Sequence, residues 1–436
     1  MQYSRFSALF LSASLGLLSV SCTSGDGIST SSGDGGSGGG GAGGGGGVAS
    51  PTESLDDIDL DADLDGDRIV DVPDTVDPLF TKLFTRYTAV ETSAGRIHLL
   101  AQPGVSDAKI TRSRSILKQL VSPVAGSPEG ANKDDVVAAM VNRGALAALF
   151  TDTASIDPND QDIADLLAAV GASSVALPAD HIVLEGSPEY MAALPAEDNS
   201  FGVLAALVHR TGLVPARASF ASQLDGHAAS AITNGLFTPR AGTPAAENTG
   251  VFLTALMDVH SGVFGHDPSG DGIARGAAGT LEAIDRGSLE MALPQASKWI
   301  DDFFGTNHTF EAILPESFTG NFDCLRRQST PYSARSQHLR NVRMTGTNSG
   351  EIFGAPFDSI LTGNSGNNNL KGRRGYDTID GGDGFDTAVF SGPLSDYRVE
   401  VLPDRVIVED VLGGHEQLDT LFGIERLQFT DGGFNL

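Results

Sequence analysis

Between residues 79 and 345 the apolar and polar positions keep a mixed rhythm. Residues 88–102 alternate as strand, turn and strand. Residues 106–122 place Ile110, Ile116, Leu117, Leu120 and Val121 at helical spacing. Asp134 opens a short helix that ends at Gly144, and 145–150 is a continuous apolar strand. Asp157-Pro158 reads as the start of a helix closed by Gly171, and 180–185 reads as a strand. Helices follow over about 199–211, 245–260 and 288–304, the last with a kink predicted at Pro294. This order predicts an α+β domain.

The rhythm changes at Gly354. Residues 354–362, 363–371, 372–380 and 381–389 form four units with a period of nine. The second carries Gly363, Gly366, Asn368 and Leu370. The third carries Gly372, Gly375, Asp377 and Ile379. The fourth carries Gly381, Gly382, Gly384 and Asp386, and the first, the loosest, Gly354, Asp358 and Leu361. Six residues make a turn that needs glycine for tight or left-handed backbone. Three make a short strand with one apolar side chain inward. A turn exposes carbonyl oxygens and one carboxylate, whereas a hard cation wants about six to eight oxygens. Two stacked turns must therefore share each ion.

These units resemble the haemolysin-type calcium-binding repeats of RTX proteins. The resemblance implies a parallel β-roll over 346–390, with Ca²⁺ as the cofactor. Units one and three would share one ion through Asp358 and Asp377, and units two and four another through Asn368, Asp383 and Asp386. Ser359 and Asn368 depart from the aspartate of the sixth place, and Ala388 is small for the inward position. The strand-like runs 397–402, 405–409 and 424–429 resemble the β-rich cap, here 391–436, that follows such repeats. A cap covers the open strand edge of a roll.

Composition and the N-terminus set the location. The formal net charge is −28, from 28 Lys+Arg and 56 Asp+Glu, which disfavours nucleic acid as a partner. Arg5 and the apolar run 6–20 form a secretory signal over 1–22. The run ends in Ser19-Val20-Ser21-Cys22, which resembles a bacterial lipobox, with Ser19 departing from its usual aliphatic residue. The resemblance implies lipidation at Cys22 and a membrane anchor. Residues 23–50 are Gly/Ser-rich and predict a disordered, flexible tether. The acidic segment 51–78 holds Asp61, Asp63, Asp65, Asp67 and Asp71 around Gly66. It resembles an EF-hand loop or one thrombospondin type 3 repeat, which implies a further calcium site. Arg68 and Val72 depart from that pattern.

In the α+β domain, a helix with His209 followed by one near Glu247 faintly resembles the element order of zincin metallopeptidases. That chemistry uses His-Glu-x-x-His on one helix. Here Ala205 and Ala206 precede His209, so the motif is absent and the resemblance implies a degenerate site. His260 reads as a hydrogen-bonded core or rim residue. The stretch 266–272 reads as a turn, and Cys324 as an inert thiol despite Arg326 and Arg327 nearby. The expectation is an exported, calcium-binding cell-envelope lipoprotein at the outer membrane or cell surface, acting as a surface binding or structural protein with a protein or polysaccharide ligand. Secretion is the alternative location, and a metallopeptidase-like hydrolase the alternative function.

Overall fold

A computed structural model describes residues 53–63, 67–193, 196–263, 271–327 and 329–436. The signal, the tether, Cys22, Asp65 and most of the 266–272 turn lie outside the described residues. The architecture is mixed α/β with parallel sheets and a β-rich C-terminal region.

The α/β body is built on a five-stranded sheet in sequence order: Val70–Asp71, Arg86–Thr92, Gly95–Ala101, Leu146–Phe150 and Ser174–Pro178. The first three strands are antiparallel and the last two join in parallel. Helix Asp107–Val121 turns Ile110, Ile116, Leu117 and Leu120 into the core, as its spacing requires. Helices Ser200–Val208 and Asn248–Ser261 pack against one another at Gly202, where a Cβ would lie 2.5 Å from the Thr254 carbonyl oxygen. A buried Arg112 ties this body together. Its Nε sits 3.0 Å from both Glu185 carboxylate oxygens, and Nη2 sits 2.9 Å from Asp198.

From His308 onward the chain alternates between two parallel ladders. One holds His308–Leu314, Leu339–Met344, Ile360–Thr362, Thr378–Asp380 and Leu418–Phe422. The other holds Gly320–Asp323, Gly350–Phe353, Asn369–Lys371, Thr387–Val389 and Arg426–Phe429. Two inward columns fill the space between them. Ala312, Val342, Leu361, Ile379 and Leu421 form one, and Phe322, Ile352, Leu370, Ala388 and Leu427 the other, each no more than 1% exposed. Ala388 is thus fully buried in its column. The hairpin Tyr397–Val401 and Val406–Asp410 extends the first ladder antiparallel, and Gly432–Asn435 extends the second.

Several elements differ from the sequence reading. The expected strand at 180–185 lies at Ser174–Pro178 instead, because Pro178 has no N–H to continue the ladder and 179–181 turn as a short 3-10 helix. The helix expected from Asp157 begins at Gln161, where the Asp160 side chain accepts from the Asp162 and Ile163 amides. The expected kink at Pro294 is a full break between Arg286–Ala292 and Pro294–Phe303, with Pro294 opening the second helix. The parallel ladders begin upstream of Gly354 and run past Val389.

Candidate functional site: the stacked turns

Where the chain crosses between ladders, its turns stack along two edges. Turns 354–359 and 372–377 lie on one edge, and turns 363–368 and 381–386 on the other. The sixth residue of a unit reaches back one coil. Asp377 Oδ1 accepts from Ser359 N at 2.8 Å, and Asp386 Oδ1 from Asn368 N at 2.7 Å, each eighteen residues earlier. The ladder continues beyond the four units: Asp377 N donates to Asp419 Oδ1 at 3.3 Å, and Asp386 N to Glu425 Oε2 at 2.7 Å. Asp419 and Glu425 were not legible as part of this series, because residues 390–417 interrupt the period.

The other carboxylate oxygen of Asp386 has no partner, although the residue is 0% exposed. Burial pushes this carboxyl up to about 6, and Glu425, Asp380 and Asp383 add repulsion. In the same turn, the Asn364 and Gly366 carbonyl oxygens of the neighbouring coil face bare glycine. A Cβ at Gly382 would meet the first at 2.6 Å, and one at Gly384 the second at 2.6 Å. Both glycines have positive φ, +88° and +127°. Asp383 is exposed on the rim of this turn. Asn368 turns its side-chain oxygen inward to the Asn364 N–H at 2.8 Å, which leaves its Nδ2 buried without a partner.

The opposite edge repeats the theme with a difference. Asp377 Oδ2 is also buried and unpartnered, and burial raises that carboxyl to about 7 with help from Asp358 and Glu416. Exposed Asp358 accepts from Tyr376 N at 3.0 Å. Here Arg373 stands at the place Gly382 holds in the next unit, with φ +76°. Such backbone costs a non-glycine residue of order 1–3 kcal/mol. The Arg373 guanidinium donates to the Gly354 carbonyl at 2.6 Å and to Asp323 at 2.8 Å, and lies 5.9 Å from the Phe353 ring centre.

The N-terminal acidic loop converges only in part. Asp63 accepts from the Arg68 N–H and Asp67 from Ile69 N. Arg68, at φ +60°, also lies 3.7 Å from the exposed Asp61. Asp71 enters a strand and faces Arg86 instead, at 3.9 Å. Among the described residues no three His, Cys, Asp or Glu side chains converge as a metal cluster. A cation on these turns would therefore draw mainly on backbone oxygens.

In the body, His209 opens a π-helical turn, His209–Leu213, and borders a cavity of about 250 Å³. Val175, His181, Asn199, Asp225 and Thr249 also line it. His209 is buried, its Nε2 has no partner, and burial lowers its pKa. Ala205 and Ala206 lie one helical turn ahead, so the residues present do not fit a zinc ion. Glu247 is buried with neither carboxylate oxygen partnered, and burial raises it to about 7. His260 is occupied elsewhere: Nε2 meets Asp301 at 3.0 Å, and its carbonyl accepts from Arg286. Cys324 is a buried free thiol whose pKa burial pushes up to about 12. No protein-family model matches the chain, and no curated protein matches it significantly.

Proposed function

We propose that this is an exported envelope lipoprotein, anchored through Cys22, whose C-terminal ladders are a β-roll folded around calcium. The single observation that carries the reading is Asp386. A fully buried carboxylate oxygen with no donor ends a glycine turn that is packed against two carbonyl oxygens. Leaving it bare incurs the desolvation cost of a charged group, and a divalent cation offsets that cost while joining two coils. Folding of the later coils and metal binding then form one equilibrium. The α/β body with its cavity serves as a surface-exposed binding unit for a protein or polysaccharide ligand.

Calcium titration of the full chain, followed by circular dichroism and calorimetry, tests the proposal. A gain of thermal stability in millimolar calcium, reversed by EGTA and absent with magnesium, is the expected result. Superimposable melts in EGTA and calcium would remove the reading.

A further inference from the structure

The second place of the four units is held in turn by Ala355, Asn364, Arg373 and Gly382. This one position decides what faces the carbonyl oxygens of the neighbouring turn. At Gly382 no side chain does, and the backbone packs directly against the Asn364 carbonyl oxygen. Asn364 instead donates from Nδ2 to the Thr345 and Asn348 carbonyls, at 2.9 and 3.0 Å. Arg373 donates to the Gly354 carbonyl and carries a full charge to Asp323. It does so from backbone that suits glycine, with a side chain only 12% exposed. An outlier of this kind persists when its contacts hold it in place.

Gly372, the residue before Arg373, packs against the Asp377 carboxylate, and Gly354, whose carbonyl Arg373 holds, packs against Gly372. A Cβ at Gly354 would lie 2.9 Å from the Gly372 carbonyl, and one at Gly372 would lie 2.2 Å from Asp377 Oδ2. A divalent ion drawing on the Gly354 carbonyl would meet a fixed guanidinium, and two like charges at such range repel. We propose that Arg373 is an internal cation that stands in for a metal ion between turns 354–359 and 372–377, so that calcium is confined among the repeats to the Gly382 edge. This rests on the reading that the Gly382 edge binds calcium.

The test is calcium stoichiometry by calorimetry on the full chain. Arg373→Gly, which suits the local φ, is expected to bind one more calcium per chain than the wild type. Asp377→Asn alone should leave the count unchanged, and adding it to Arg373→Gly should abolish the gain. Asp386→Asn should remove one ion in either background. Equal counts in the wild type and a normally folded Arg373→Gly would overturn the proposal. So would loss of an ion in Asp377→Asn alone, which decides the matter even where Arg373→Gly fails to fold. A wild type that binds calcium without a gain in Arg373→Gly sinks only this inference. No binding in either sinks the calcium reading, and this inference with it.

Discussion

The Arg112 cluster of the body and the stacked turns bury ionisable groups in opposite ways. In the body, Arg112 is matched by Glu185 and Asp198, and the histidines at the junction with the ladders are held neutral. Burial lowers His260 to about 4 and His308 to about 3, with His308 Nε2 meeting the Ser261 carbonyl at 2.7 Å. Arg286 adds to both effects, and it lowers His338 to about 2 together with burial. In the turns, Asp377, Asp386 and Asp419 are buried next to other acids, and burial raises all three. Around Arg112 the body carries its counter-charges within the chain, while at Glu247 it leaves a carboxylate as bare as those of the turns. Most of the stack has no such counter-charge among the described residues, and on the proposed reading a cation from outside supplies it.

The strongest way to break this comparison is to unpair the body. Arg112→Ala leaves two buried carboxylates uncompensated and should cost about 3–5 kcal/mol in chemical denaturation, with or without calcium. A small loss would show that the body tolerates bare charge as the turns do. Next in size is calcium withdrawal. Saturation at a hundredfold excess over Kd stabilises by about 2.7 kcal/mol per ion. Amide exchange should therefore accelerate in EGTA over 360–429 while strands Leu146–Phe150 and Ser174–Pro178 stay protected. Asp386→Asn should lose one such ion, and with it about 2.7 kcal/mol of stability in calcium, without destabilising the calcium-free protein. A variant that melts lower in EGTA would mark Asp386 as a packing residue.

The smallest effects come from pH, and their signs differ between the regions. The neutral histidines contribute stability that is complete above about pH 6.5 and is lost as pH falls toward their lowered values. The raised carboxyls do the reverse in the metal-free protein. Their contribution is complete below about pH 3.9 and is lost as pH rises through about 6 to 7. Acidification in EGTA should thus slow exchange in the turns while it loosens the junction around His308. Calcium competes with those protons, so its affinity should fall on acidification through the same window. Exchange that speeds up in both regions would refute the contrast.

The nine-residue rhythm was legible because it couples glycine to an inward aliphatic residue at fixed spacing, as in Gly372 and Ile379. The partners of the ladders upstream were not. Phe322 and Ile352 occupy the same column as Leu370, but longer turns between them hide the period. Helix Ala218–Thr233 went unread, since small buried residues such as Ala221, Ala228 and Ala231 blur its apolar stripe. The role of Arg373 was also out of reach: the sequence shows an arginine at a glycine position, but only the fold brings Asp323 to it across fifty residues.

Strict alternation between two ladders restricts how this protein can change in length. Removing nine residues would send every later strand to the opposite ladder and exchange the two edges. Removing eighteen takes out one whole coil and restores every neighbour. Evolution and engineering alike should therefore find insertions here in double units, with single units selected against.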